Sequence, residues 1–311
     1  MAGFYHKPVM LQEVIEGLCV KENGVYFDGT IGGGGHSYAI LAAKSGVRLI
    51  ATDKDEEAIA AATERLAPFA GRFSIHHSDY KNYAEVLREE GVEELDGVLL
   101  DFGISSHQID EGERGFSYFK ADAPLDMRMD RREGLTAEIV VNEYTEEKLR
   151  RILREYGEER FAANIARNIV KVRGKGRITT CGELAKITEE SIPVRFRFSG
   201  PCARQTFQAI RIEVNGELDG LKECVIGLAR RLKKDGRIAI LTFHSLEDRI
   251  VKQAFAELSA GCTCPKEFPI CVCGKKQELE LVNKKPITAS EEELESNSRS
   301  KCAKLRIARK L

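Results

Sequence analysis

The sequence predicts an α/β protein: a mostly parallel, doubly wound sheet interrupted by a helical domain. Three observations carry this. Before Gln108, short apolar runs alternate with segments of helical period, the pattern of repeated βαβ units. Runs such as "VRLIAT" and "GVLLDF" are apolar throughout, as strands buried on both faces are. Near Gln108 the rhythm stops, helical periodicity fills Thr136 to Val214, and alternation then resumes. The expected domains are residues 1–110 with 215–311 for the sheet, and 111–214 for an inserted, substrate-recognising unit.

The lead "MAGFYHKPVMLQEVIEGL" has acids where a signal peptide would be apolar, and reads as the approach to an amphipathic helix. "GVYFDGT" is a first strand ending in a turn, and "HSYAILAAKSG" a helix with a glycine stop. "VRLIATDKD" is a buried strand with acids at its end, followed by the helix "EEAIAAATERLAPF". "RFSIHHSDY" is a third strand, "YAEVLREEG" a helix, and "LDGVLLDFG" a fourth strand. After the insert, "GELDGLKECVIGLARRLKKDG" reads as a helix stopped by its last glycine. "RIAILTFHSLEDR" is a strand running into a loop, and "QELELVNKK" and "KCAKLRIARKL" are final strands.

Across 311 residues, 42% are hydrophobic and 31% charged, the balance of an ordinary soluble domain, and no apolar run is long enough to span a bilayer. The formal charge of −1 gives no global attraction to nucleic acid, so any such surface must be local. The nine cysteines, without a secretory leader, are expected as reduced thiols in the cytoplasm. The oligomeric state is open, a homodimer included.

"DGTIGGGGHS" places Gly32 to Gly35 after the first strand, where open parallel sheets bind ligands. A nucleoside-triphosphate loop would end in Gly-Lys-Ser/Thr, and no lysine is present. A dinucleotide loop needs G-x-G-x-x-G/A; counted from Gly32 or Gly33, the last position is Ser37 or Tyr38. S-adenosylmethionine carries no phosphate, but its amino-acid end lies almost on the backbone, which glycine permits. Asp53 ends the second strand and suits ribose hydroxyls; it equally suits the cap of the next helix. NAD enzymes use the same acid, so a nicotinamide oxidoreductase stays open at this point.

"HKPVML", "DGTIGGGGHS", "LDFGISSHQID", "RGFSY", "PLDMRMD", "YGEER", "RQTFQAIRIEVN" and "FHSLEDR" occur in this order. Together they closely resemble the bacterial small-subunit (16S) ribosomal RNA cytosine-N4 methyltransferase family, RsmH or MraW. The resemblance implies a Rossmann-like class I methyltransferase using S-adenosyl-L-methionine. Its acceptor would be the exocyclic N4 of a cytidine in the decoding centre, in free RNA or in the assembled small ribosomal subunit. Matching positions imply that Gly34, Gly35 and His36 touch the cofactor, that Asp53 holds its ribose, and that Tyr80, Asp101 and Gln108 complete the pocket. The chain departs from the family's usual pattern before Arg204, where Gly200, Pro201, Cys202 and Ala203 replace the expected His-Pro-Ala. "DFGISS" also replaces the Asp/Asn/Ser-Pro-Pro-aromatic string of well-known amine methyltransferases.

Polar groups expected near the chemistry are Asp101, Ser105, Asp126, Arg128 and His244, the last beside a helix start that Ser245 would cap. RNA-binding candidates are Arg128 and, from an acid-free stretch, Ser191 to Ile212, Arg195, Arg197, Arg204 and Arg211, interleaved with Phe196, Phe198 and Phe207. Arg167, Lys171, Arg173, Lys175 and Arg177 form a second such stretch. A solvated charged face and core phenylalanines explain the same pattern. "CTCPKEFPICVCG" carries Cys262, Cys264, Cys271 and Cys273; paired C-x-C suits zinc, although C-x2-C is the usual spacing, and reduced loop thiols are the simpler reading. No metal is expected in the methyl chemistry. Besides a methyltransferase and an oxidoreductase, a non-catalytic RNA-binding protein with an inherited pocket fits the sequence.

Overall fold

The computed structural model describes residues 8–104, 108, 112–197, 201–262, 264 and 272–311. It divides into two compact units, Met1–Gly103 with Gly220–Leu311, and Ile104–Asp219.

In the first unit, α1 (Leu11–Leu18) leads into β1 (Val25–Asp28), α2 (Gly35–Ala43), β2 (Arg48–Asp53), α3 (Glu56–Leu66), β3 (Phe73–His77), α4 (Tyr83–Glu89) and β4 (Leu95–Asp101). After the second unit the chain adds helix Leu221–Arg230, β5 (Leu232–Thr242), helix Ser245–Ser259, β6 (Leu279–Leu281), helix Glu291–Ser296 and β7 (Lys304–Lys310). The seven-stranded sheet has the order β3-β2-β1-β4-β5-β7-β6. Strands β1 to β5 pair in parallel, and β7 runs antiparallel to both β5 and β6. The chain runs outward from β1 through β2 to β3, then returns to β4 on the other side of β1. That reversal opens a crevice beyond the carboxyl ends of β1 and β4.

The apolar strand centres explain the core. Tyr26, Leu49, Ala51, Leu99, Ala239 and Leu241 pack in one cluster with Ile40, Leu41, Ala62 and Leu66 of the covering helices. Details differ from the sequence expectation. Strand β3 stops at His77, and Tyr80 opens a 3-10 turn, Tyr80–Asn82, because Asp79 accepts a hydrogen bond from the Lys81 amide (2.9 Å). The basic helix stops at Arg230, short of Gly236. The chain re-enters the sheet at Leu232 through a bulge in which the register jumps from Leu95↔Leu232 to Gly97↔Arg237 and Asp235 takes φ 63.

The second unit is mostly helical: Ala137–Glu143, Glu146–Glu155, Ala162–Arg173, Cys181–Ser191 and Arg204–Asn215. Side-chain caps start several of these helices, including a full capping box from Thr180 and Glu183. Their apolar faces share a separate core with Val140, Leu149, Ile152, Ile165, Ile169 and Leu184 at its centre. Among the described residues, no helix is long and apolar enough to cross a membrane.

Candidate active site

The glycine loop is stitched to both strands beside β1. The Gly29 amide donates to the Leu99 carbonyl (3.0 Å), and the Ile31 amide to the Thr52 carbonyl (3.0 Å). Thr52 Oγ1 donates to the Gly29 carbonyl (2.8 Å). A Cβ on Gly29 would lie 2.4 Å from Leu100 Cδ2, so no larger residue fits there. Gly32 and Gly34 take φ +49 and +73, the left-handed region that glycine enters at little cost. Gly34 then starts α2, which no side chain caps. Gly35 lies directly beneath Pro8; a Cβ would approach Pro8 Cγ to 2.3 Å.

Carboxyl groups at the ends of β1, β2 and β4 surround this loop. Asp28 is buried and accepts from Ser37 Oγ (2.6 Å) and the Thr30 amide (3.1 Å). Asp53 accepts from the Gly32 amide (2.8 Å) and the Asp55 amide (2.9 Å). Burial outweighs these hydrogen bonds and pushes each carboxyl up to about 6. The cap of α3 is Asp55, which accepts from the Glu57 amide (3.1 Å); Asp53 is therefore not the helix cap.

Of these three carboxyls Asp101 is the most perturbed. Its amide donates to Thr30 Oγ1 (2.6 Å), and its Oδ2 lies 3.5 Å from His36 Nδ1. Oδ1 is buried and has no hydrogen-bond partner among the described residues. Burial, then the charges of Asp28 and Glu247, push Asp101 up to about 8, so it holds a proton at neutral pH. Buried His36 meets the Val9 carbonyl through Nε2 at 2.9 Å. A carbonyl only accepts, so Nε2 carries hydrogen, and in the neutral ring Nδ1 faces the Asp101 carboxyl as an acceptor. The Tyr80 ring tilts against Phe102 at 5.5 Å on the same side of the sheet end. Carboxyl oxygens around bare backbone suit a ligand bringing hydroxyl donors and positive charge.

The sequence matches the MraW methylase family over residues 3–311. The chain belongs to that family. It is 52% identical over 309 residues to the ribosomal RNA small subunit methyltransferase H of Clostridium botulinum (strain Kyoto / Type A2), covering 99% of each chain. The proteins of the same name from Brevibacillus brevis and Symbiobacterium thermophilum are 49% identical over 312 residues and 51% identical over 311. Coverage there is 99% of this chain, with 99% and 98% of theirs. A solved rRNA methylase from Streptococcus thermophilus covers 99% of both chains at 11% identity, with a TM-score of 0.39.

Within the MraW family chain, the predicted residues fall into distinct settings. Gly34, Gly35, His36, Asp53, Tyr80 and Asp101 gather at one end of the sheet. His244 belongs to this unit too, but it caps helix Ser245–Ser259, a position expected for Ser245. Its Nδ1 accepts from the Glu247 amide (3.4 Å) while Glu247 returns to the His244 amide (3.2 Å). Asp248 of the same string is tied to Arg306 (2.7 Å) on β7. Gln108 is buried, and Ser105 lies outside the described residues.

In the second unit, Asp126 is gripped bidentately by Arg128, at 2.8 Å to each oxygen. Burial would raise Asp126, but the Arg128 hydrogen bonds outweigh it and hold the carboxyl below its usual range. Asn215 fastens that loop, accepting from the Met129 amide and donating to the Met127 carbonyl, both at 2.8 Å. Arg211 is paired with Glu217 through two 2.8 Å hydrogen bonds, and Arg197 Nε donates to the Ile192 carbonyl (2.8 Å). Arg195 and Arg204 are exposed. Phe207 is core, the guanidinium groups of Arg160 and Arg195 lie 4.7 and 4.9 Å from the Phe196 ring centroid, and Phe198 lies outside the described residues. Sequence reasoning missed a cavity of about 450 Å³ lined by Arg150, Arg154 and Arg160 together with Glu158 and Glu159. The i, i+4 spacing of Arg150 and Arg154 on one helix was the available signal.

Proposed function

We propose that the chain transfers a methyl group from S-adenosyl-L-methionine to the exocyclic N4 of a cytidine in the decoding centre of 16S ribosomal RNA, in the cytoplasm. The relatives' names, which specify small-subunit ribosomal RNA, support the substrate class. The carrying observation is the buried Oδ1 of Asp101, without a hydrogen-bond partner among the described residues, beside the glycine loop at the sheet's reversal point. Leaving such an atom unmatched costs about 1–3 kcal/mol, which a cationic or amine ligand group recovers.

When bound, S-adenosylmethionine supplies an electrophilic methyl group. The residues present fit it: Asp53 retains acceptor lone pairs for ribose hydroxyls, and the Gly32–Gly35 backbone allows close approach of the amino-acid end. Tyr80 supplies an aromatic face beside them. Asp101 becomes an acceptor once a neighbouring positive charge favours its ionised form. It then accepts a hydrogen bond from the cytosine amine, freeing the N4 lone pair, and is the acceptor for the proton N4 gives up. Before that ionisation His36 is a positioning residue, its Nδ1 accepting from the protonated Asp101 carboxyl. Asp126, held by Arg128, and His244, engaged as a helix cap, are less suited to that role. Arg195 and Arg204 of the inserted unit are the RNA-phosphate contacts in this reading. Calorimetry with S-adenosylmethionine and with NAD tests it: heat from the first alone is expected, and binding of NAD with no response to S-adenosylmethionine overturns it.

A further inference from the structure

We propose that Cys262, Cys264 and Cys273 bind a structural zinc ion. Their sulfurs all lie within 4.8 Å of one another, and the Cys262 and Cys273 Sγ atoms are 3.8 Å apart. A disulfide requires about 2.05 Å. Two thiolates each about 2.3 Å from one zinc, at the tetrahedral angle, stand about 3.8 Å apart. Backbone donors also point at sulfur: the Cys264 amide at Cys262 Sγ (3.4 Å), and the Val272 amide at Cys264 Sγ (3.3 Å). Gly274, at φ +62, turns the chain directly after Cys273.

Apolar burial does not explain the convergence. Cys262 and Cys273 are exposed, and neighbouring Val272 is 74% exposed. The loop is closed at its base, where the Glu278 amide donates to the Leu258 carbonyl (2.8 Å). Between Ser259 and Leu279 the described residues form neither helix nor strand. Closing a long chain segment by a metal clip removes conformational entropy from the unfolded chain. Soft thiolates at tetrahedral spacing select zinc over magnesium or calcium. As each Zn–S bond forms, the thiol proton passes to solvent, so affinity falls on acidification. A donor outside the trio completes the tetrahedron; Cys271 of the sequence motif lies outside the described residues and is not part of the assignment.

The test uses the full chain, purified without chelator and exchanged into metal-free buffer. Elemental analysis is expected to find about one zinc per chain, the stoichiometry of a closed structural site. Replacement by Co2+ is expected to give intense thiolate-to-cobalt absorption. Cys262→Ser, Cys264→Ser and Cys273→Ser should each weaken Zn2+ binding by at least roughly tenfold, the loss seen for removing even an outer partner. Cys19→Ser and Cys302→Ser, also exposed, should not change it. A zinc-free chain without thiolate-to-cobalt absorption overturns the proposal. So does zinc retained by the triple serine variant, or a mass deficit of two hydrogens showing a disulfide. The cobalt spectrum of the unaltered protein decides the matter even if a serine variant misfolds.

Discussion

Asp101→Asn should stabilise the ligand-free protein while abolishing its chemistry. In the folded chain Asp101 holds its proton up to about pH 8, whereas the ordinary value is 3.8. Between those values the folded state binds more protons than the unfolded state, so stability falls as pH rises. At about 1.4 kcal/mol per pH unit, the full displacement corresponds to about 6 kcal/mol above pH 8. The side chain keeps 26% of its surface exposed, so water at the rim reduces this, and a gain of about 2–3 kcal/mol is expected. Asparagine is isosteric, does not titrate, and can donate to His36 Nδ1. At about 2–4 °C per kcal/mol, the variant should melt roughly 4–12 °C higher at pH 8.5. The gain should be absent near pH 4 and grow across the interval. Thermal unfolding of both proteins from pH 4 to 9, without cofactor, measures it. A difference that is flat in pH, or a variant less stable at pH 8.5, refutes the placement of a protonated carboxyl at this position.

The same group should make S-adenosylmethionine affinity pH-dependent: binding tightens by up to about tenfold per pH unit as pH rises toward 8, because the cation requires the ionised carboxylate. Titration calorimetry at pH 6, 7 and 8 reads this directly, and Asp101→Asn should flatten the profile. Gly34→Ala forces an L side chain to φ +73 against Ala62 and should cost about 1–2 kcal/mol of stability together with a loss of cofactor affinity. Thr30→Val strands the Asp101 amide and should cost about 1–3 kcal/mol in denaturant unfolding. Arg195→Ala and Arg204→Ala should each lower the salt slope of RNA binding by about 1 without affecting cofactor affinity. Arg211→Ala should instead unfold more easily, by about 1–3 kcal/mol, because it removes the hydrogen-bonded partner of the half-buried Glu217 carboxylate.

The parallel strands were legible because their apolar runs end in acids, and those acids, Asp28, Asp53 and Asp101, mark the crevice. The insertion of β7 between β5 and β6 was not, since antiparallel return to a sheet edge depends on distant pairing rather than local period. The Asp235-Gly236 turn mimicked a helix stop because a bulge and a C-cap both want positive φ. At the site, residue types were legible and their divided labour was not. The reading of Asp53 as a helix cap fails because Asp55 takes that place, and the glycine amide takes Asp53. Arg211 looked available because no acid lies between Ser191 and Ile212, yet Gly216, at φ 55, returns the chain and brings Glu217 onto it. The Asp101–His36 contact joins positions far apart in sequence, so spacing carried no trace of it.

The most direct measurement is the position of the transferred methyl group. Purified protein, S-adenosylmethionine labelled at the methyl, and small-subunit RNA or subunits lacking the modification are combined, and the RNA is digested to nucleosides. The account predicts label in N4-methylcytidine, from a single decoding-centre position, and none with Asp101→Asn. Label on ring carbon or on a ribose hydroxyl, or no transfer to either RNA form, would contradict it.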